Sequence, residues 1–457
     1  MADRVNHVIV LILENRSFDH MLGDLQQVYP NLSGVNRIKP GTNIYNGISY
    51  PQDRGASRFV TNDPKHEYEH VLKQISANNG GFVRDFAEAH PDATHDDWQE
   101  VMRFHESGSL PAIHTLAKNF LICDHWYSSV PGPTWPNRLF AMSGTSLGRV
   151  SMPEGLFNWN LHWYSQPTIF DRLNEKNKTW KVYFGDFALS LLLVHQWEPR
   201  NVMNFHHMTE FYRDAASVKV DEFPAFSFIE PSYMPPGAND GHPPHDIVAS
   251  ETLVANVYNA IRANEALWKE SLLVVLCDEH GGFYDHESAV AMVAPDSHQE
   301  DGFQFNLSGL RVPAILISPW VKAGVLSTQF DHTSLLKYLI DKWQLGPLGN
   351  RAANASTFAS SLEEELRADT PARIYVPVQM AASTPRAPEV LSRSQSAMIA
   401  LSHALESMAG EDPNTVAARS KHILSSAQSH VDIAMDRLES FIEKLTSKFR
   451  IEQKAGK

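Results

Sequence analysis

Cysteine is nearly missing from this chain: Cys123 and Cys277 are the only two in 457 residues. A disulfide framework and a thiolate zinc site both need more, so any bound metal has to be held by oxygen and nitrogen ligands. Long apolar runs are missing too. The first, Val8-Ile9-Val10-Leu11-Ile12-Leu13, stops at Glu14. No run approaches the ~20 residues of a membrane span, and none looks like a signal-peptide core followed by a cleavage site. As written, the sequence reads as soluble, without a signal peptide, and so as cytoplasmic or exported by a leaderless route. Basic residues are the minority: 39 Lys and Arg face 53 Asp and Glu, a net charge of −14. Such a surface repels phosphate backbones and disfavours nucleic acid as a partner. A zwitterionic lipid or a small phosphoester stays open, because a metal or a few donors reverse the field inside one pocket. What is present, 43% apolar and 20% charged residues, is ample for a large core and excludes a disordered polymer.

The opening run is β-branched and apolar on both faces, as expected of a central parallel strand covered by helices. Similar runs recur at Trp180–Phe184, Ala225–Ile229, Leu272–Cys277 and Ala314–Ile317. Between them, Ile247–Trp268 and His332–Trp343 place apolar residues at helical spacing. Strands alternating with helices predict an α/β fold whose sites lie at the carboxyl ends of the strands. Residues 1–368 form the expected catalytic domain. A Pro-rich connector follows at 369–390, then a helical C-terminal region at 391–457. In that region Met398–Met408 is amphipathic. Leu424, Ala427, Val431, Ala434, Leu438, Phe441, Leu445 and Phe449 line one face of a longer helix. A helical hairpin packed on the main body is the plainer reading of this stripe, and a surface for oligomerisation or a partner is the other.

Four segments carry chemistry. Glu14-Asn15 follows the first strand, and Asp278-Glu279-His280-Gly281-Gly282 follows Leu272–Cys277. Helix or turn capping would account for either alone. Together they supply three carboxylates and an amide oxygen, a hard-oxygen set for one divalent cation, with paired glycines letting backbone approach a ligand closely. Val130-Pro131-Gly132-Pro133-Thr134-Trp135-Pro136-Asn137-Arg138 is too proline-dense for a helix or inner strand and reads as a shaped turn holding Thr134. Metal coordination would make that hydroxyl a nucleophile, and Asn137 is a candidate donor to a developing oxyanion. Histidines form the fourth piece: His66 and His70 near Asp63, His242 and His245 in a Pro-rich loop beside Asp240 and Asp246, and His280, His286 and His332. Most of the 22 histidines are structural, but imidazolium near a phosphate binds it, and one such group can protonate a leaving oxygen.

Four motifs in order, Glu14-Asn15-Arg16-Ser17-Phe18-Asp19-His20, Pro133–Arg138, Asn239–Asp246 and Asp278–His286, resemble those of the bacterial and plant phosphoesterases that include non-specific phospholipase C and certain acid phosphatases. The resemblance runs from about residue 6 to 345. It implies an alkaline-phosphatase-like α/β fold, a central mostly parallel sheet flanked by helices, and phosphoryl transfer through a covalent phospho-enzyme. By the same resemblance Glu14, Asn15, Asp278 and Glu279 match metal ligands, and Thr134 matches the nucleophile, which also touches the metal. Asn137 matches the residue holding the phosphoryl oxygen, and His66, His242 and His245 fall in phosphate-binding segments. Phospholipase C members carry Thr at the nucleophile and acid phosphatases tend to carry Ser, so Thr134 leans towards the former.

The expected function is therefore metal-dependent hydrolysis of phospholipids, such as phosphatidylcholine, to diacylglycerol and a phosphorylated headgroup through phosphothreonine. An acid phosphatase acting on small monoesters is the alternative in the same chemistry, and a metal-binding interaction scaffold the alternative in another. One divalent cation is expected, and the oxygen ligands suit Mg²⁺, Ca²⁺ and Mn²⁺ without excluding Zn²⁺. Expected partners are a phospholipid or other phosphoester, with transient membrane-surface contact and a homo-oligomer through the C-terminal helices compatible with the sequence.

Overall fold

The first apolar run becomes β1, His7–Leu13, with every side chain buried. In the computed structural model, which describes residues 4–152, 163–217, 219–377, 391–408 and 434–447, β1 runs through the middle of an eight-stranded sheet. The others are β2 (Leu121–Cys123), β3 (Trp180–Phe184), β4 (Phe205–His207), β5 (Phe226–Glu230), β6 (Ser271–Cys277), β7 (Ala314–Ile317) and β8 (Gly324–Leu326). Their spatial order is β8-β2-β7-β6-β1-β5-β3-β4. β7 alone runs against the rest, antiparallel to β6 and to β2. The mostly parallel α/β sheet read from the runs is thus present, and the run at 225–229 is shifted by one residue. Cys123 and Cys277 are buried free thiols.

Register decides where the chemistry goes. Leu13 lies opposite Cys277, so Glu14 and Asp278 leave neighbouring parallel strands side by side at their carboxyl ends. On the other flank β1 pairs with β5, which ends at the buried Glu230. Crossover helices cover the sheet as parallel pairing demands. They include α1 (Phe18–Leu22), α2 (Pro111–Asn119), α3 (Thr134–Ser143), α4 (Ile247–Ala263) and α5 (His332–Trp343). α1 is capped by Ser17, whose hydroxyl accepts from the His20 N–H, so capping does not explain Glu14. The helical pattern over 247–268 breaks at Asn264, whose side chain caps a separate short helix, Glu265–Lys269.

Two sequence readings need correction. The 130–138 segment is not wholly a turn, because α3 begins inside it at Thr134. Pro133 is the N-cap and Pro136 falls in the first turn, where backbone N–H groups have no intrahelical acceptor and proline removes nothing. The paired glycines serve chain packing rather than ligand approach. Both have positive φ; a Cβ on Gly281 would meet the Asn15 carbonyl at 2.1 Å, and one on Gly282 the Lys65 carbonyl at 2.6 Å.

The C-terminal region contributes α6 (Arg393–Met408) and α7 (434–447). Ala397, Met398, Leu401, Leu405, Ala434, Leu438 and Phe441 are buried in the same hydrophobic core as the central sheet. They therefore share the catalytic body's core instead of building their own. The other stripe positions, 424, 427, 431 and 449, and residues 378–390 of the connector lie outside the described residues.

Candidate active site

The chain after β1 turns sharply at Asn15, which takes the left-handed conformation (φ 58°) that Asn tolerates better than most residues. The turn aims the Asn15 N–H at Asp278 Oδ1, 3.3 Å away, and its side-chain nitrogen at His66 Nε2, 3.2 Å away. Its oxygen, Oδ1, meets no donor. Neither do Glu14 Oε1 and Glu279 Oε1, though all three residues are buried. Asp278 is more occupied: Oδ1 also accepts from the Glu279 N–H at 2.8 Å, and Oδ2 accepts from Arg138 Nε at 2.9 Å. Burial, and then the charge of Asp278, raises the Glu14 carboxyl well above the usual range. Burial raises Asp278 to about 7 against the pull of Arg138. Glu279 goes the other way, brought below its ordinary value against burial by His66 and His280.

Thr134 opens α3, fully buried, and its Oγ1 also lacks a hydrogen-bond partner. One turn along the same helix, Arg138 bonds Asp278 and lies 3.6 Å from Glu14 and 4.0 Å from Glu230. It thereby ties the helix that carries Thr134 to the strand ends. Asn137 is not left free for an oxyanion. Its Oδ1 accepts from the Val130 N–H at 3.0 Å, and its nitrogen faces the carbonyls of Gly132 at 2.8 Å, Pro133 at 3.1 Å and Val130 at 3.3 Å. The amide locks the loop that delivers Thr134.

His66 and His242 meet edge to face with ring centroids 5.3 Å apart. With Asp63 they form a group close enough to grip one ion. Burial opposes a charge on His66, but Glu279, Asp63 and Glu67 outweigh it and bring its pKa up to about 9. Burial lowers His242, whose Nε2 is buried without a partner. His245, centroid 6.3 Å from His242, points Nδ1 at Asp240 Oδ1, 2.7 Å away. The remaining candidates are structural. His332 Nε2 donates to the Asp278 carbonyl at 2.6 Å while its Nδ1 accepts from Trp126 Nε1 at 3.2 Å. His280 bonds Gln74 at 2.8 Å, and His70 bonds Asp85 at 2.8 Å.

Sequence reasoning gave no role to Arg138, though its i+4 spacing from Thr134 signalled a shared face. Arg16 was also missed: a buried guanidinium stacked 4.7 Å over Phe283, with no hydrogen-bond acceptor on any nitrogen. Nothing in its spacing marks it as buried.

Glu14 Oε1, Asn15 Oδ1, Glu279 Oε1 and Thr134 Oγ1 are buried oxygens without donors, of the chemistry a hard divalent cation takes, whereas the described acidic and histidine groups whose atoms lie close enough to share one ion are Asp63–His66–His242 and Asp19–Asp285–His286. Residues 5–346 match the Phosphoesterase family. Non-specific phospholipase C6 of Arabidopsis thaliana is 32% identical over 431 residues, 88% of this chain and 81% of that protein. Phospholipase C B of Mycobacterium tuberculosis is 26% identical, over 73% of this chain and 72% of that one. A solved structure of a protein in the alkaline phosphatase superfamily from Vibrio parahaemolyticus aligns at 12% identity and a TM-score of 0.33, covering 66% of this chain and 84% of that one. The family match and the phospholipase C relatives define a phosphoric ester hydrolase. The chain belongs to the phosphoesterase family.

Proposed function

We propose that the protein hydrolyses phospholipids in the manner of a phospholipase C, releasing diacylglycerol and a phosphorylated headgroup through a phosphothreonine at Thr134. The observation that carries this is the Thr134 hydroxyl itself, buried at the first position of a helix with nothing to bond. An unpaired buried hydroxyl costs about 1–3 kcal/mol, and the N-terminal turn of α3 presents free N–H groups to an anion arriving there. The relatives named non-specific phospholipase C support the lipid substrate.

Glu14, Asn15, Asp278 and Glu279 would hold one divalent cation, which supplies Lewis-acid acidification of the Thr134 hydroxyl and neutralises phosphate charge. The residues do the rest. Deprotonated Thr134 Oγ1 forms a bond to phosphorus in line with the departing glycerol oxygen. His66, its Nδ1 on the Pro64 carbonyl, lines the phosphate site, and the proton that Thr134 Oγ1 gives up passes to the unpartnered Nε2 of His242 and from there to the leaving alcohol. Arg138 holds Glu14 and Asp278 in place by its charge, and Asn137 keeps the 130–134 loop in register. Water then cleaves phosphothreonine and restores the hydroxyl.

The test is incubation with phosphatidylcholine vesicles, with diacylglycerol and phosphocholine measured, beside an aryl phosphate monoester. Acid quenching during turnover should trap phosphate on the peptide containing Thr134. Release of inorganic phosphate from the monoester with no diacylglycerol from vesicles would replace the phospholipase reading with the phosphatase one.

A further inference from the structure

The C-terminal helix reaches into the histidine group. At the first turn of α6, Gln395 is buried (3% exposed) and every polar atom of its amide is assigned. Its oxygen accepts from the Ser392 N–H at 2.9 Å. Its nitrogen lies 2.9 Å from the Tyr233 carbonyl, which can only accept, and 3.1 Å from His245 Nε2. The outer two contacts fix which end of the amide is nitrogen. His245 Nε2 therefore faces an N–H and must be the acceptor, which leaves the ring's single proton on Nδ1, shared with Asp240 Oδ1. The same Asp240 oxygen accepts from the His242 N–H at 3.1 Å, and the Asp240 carbonyl accepts from the Glu14 N–H at 2.8 Å. Two residues earlier on α6, Arg393 pairs with Glu67, the neighbour of His66, at 3.0 Å.

Resting on the phosphoesterase mechanism above, we propose that Gln395 is a positioning residue: it fixes His245 as the neutral Nδ1–H tautomer clamped on Asp240, so that His245 transfers no proton and the C-terminal helix completes the catalytic histidine group. Electrostatics and hydrogen bonding pull apart at His245: against burial, Asp240, then Asp186 and Asp63, hold its pKa above the ordinary value, whereas the Gln395 N–H on Nε2 leaves no place for a second proton. Geometry decides between them. A second proton on Nε2 would point at the Gln395 N–H. Turning the amide to receive it would set its oxygen against the Tyr233 carbonyl and its nitrogen against the Ser392 N–H, losing both fixed bonds. The clamp orders the 239–246 loop and thereby His242, the group assigned the proton transfer.

Two measurements test this on the full chain. With ¹⁵N-labelled histidine, long-range ¹H–¹⁵N spectra at pH 7 should show His245, assigned by loss of its signal in His245→Asn, with a protonated Nδ1 and an acceptor Nε2. In Gln395→Leu the two nitrogens should move towards tautomer averaging or a second proton. On phosphatidylcholine vesicles Gln395→Leu should lower kcat about tenfold with KM unchanged. His245→Asn, whose amide N–H can replace the bond to Asp240, should stay within about tenfold of wild type, whereas His242→Asn should lose about 10²–10⁴-fold. A doubly protonated His245 in the wild type, an unchanged His245 spectrum in Gln395→Leu, or a His245→Asn as impaired as His242→Asn would each overturn the assignment. If the wild type hydrolyses neither lipid nor monoester, the functional reading fails alone, because the spectra still decide the tautomer.

Discussion

Two acidic clusters arise from the same pair of sequence motifs, and they have been put to opposite uses. Glu14 and Asn15 begin the first motif and Asp19 stands one residue from its end; Asp278 and Glu279 begin the second, and Asp285 and His286 end it. Asp19, Asp285 and His286 sit close enough together to grip an ion, yet their atoms are all engaged. Arg311 donates to Asp19 and to Asp285, each at 2.9 Å. Gln52 and His286 donate to the second Asp19 oxygen, each at 2.8 Å. The Asp19 N–H closes on the second Asp285 oxygen at 3.1 Å, and Ser33 lies 3.2 Å from His286 Nε2. At the strand ends, by contrast, Glu14, Asn15, Glu279 and Thr134 each keep a buried oxygen with no donor. Crowded carboxylates do not mark a site. A buried oxygen left without a donor costs free energy; single ones also occur at Asn79, Gln166 and Ser227, so what sets the strand ends apart is that four belong to two adjoining motifs and the start of α3.

The sharpest break between the clusters is Thr134→Ala. It removes a hydroxyl that bonds nothing together with a buried methyl group, and the two offset, so urea unfolding should shift by less than about 1 kcal/mol, while turnover should fall by on the order of 10⁴-fold or more. Residual turnover near wild type would remove Thr134 from the chemistry. Arg311→Met should do the reverse. It leaves Asp19 and Asp285 buried and uncompensated, at about 3–5 kcal/mol of stability, while the surviving folded fraction should keep its specific activity. Equal loss of activity per folded molecule in both variants would erase the distinction drawn here.

How much of this was readable beforehand follows from what each feature depends on. The sheet was readable because β1 and β6 are buried on both faces, and an uninterrupted apolar run has few other homes. The strand-end placement of Glu14 and Asp278 followed from it. α3 was misread because proline was counted against a helix wherever it fell, though in the first turn it offends nothing. Asn137 drew an oxyanion role because sequence shows that an amide is present but not that Val130, Gly132 and Pro133 already claim it. Arg311 and Gln395 stayed hidden for a plainer reason. Both act across more than a hundred residues of chain, on Asp19 and His245, and no local period encodes that meeting.

The metal response should separate the clusters more gently. Adding Mg²⁺, Ca²⁺, Mn²⁺ or Zn²⁺ to chelator-treated protein should raise its unfolding temperature for the ion that fits, by the equivalent of ~2.7 kcal/mol at a hundred times Kd. Glu14→Gln should lose most of that response. Without metal it should equal or exceed wild-type stability, because it removes a carboxyl that burial holds far above its ordinary pKa. Gln52→Leu, on the structural cluster, should keep the full metal response. If Gln52→Leu loses the response and Glu14→Gln keeps it, the ion belongs to the other cluster.

The smallest expected effect concerns pH, and His286 in the structural cluster carries a separable part of it. Burial opposes a charge on His286, but Asp19 and Glu287 overcome it and bring its pKa up to about 10. The hydrogen bond from His286 brings Glu287 down to about 2. A histidine raised on folding contributes its full stabilisation below about 6.5 and loses it as pH climbs towards 10. A carboxylate lowered on folding contributes fully above about 4.5 and loses it as pH falls towards 2. The pair is therefore strongest between about pH 4.5 and 6.5. Urea midpoints measured at pH 5.5 and pH 9 should differ more in wild type than in His286→Asn, which keeps a donor to Asp19 but cannot titrate. Thr134→Ala should show the wild-type difference, since the hydroxyl it removes carries no charge in either state. An alkaline slope that persists in His286→Asn would move its source away from the Asp19 network.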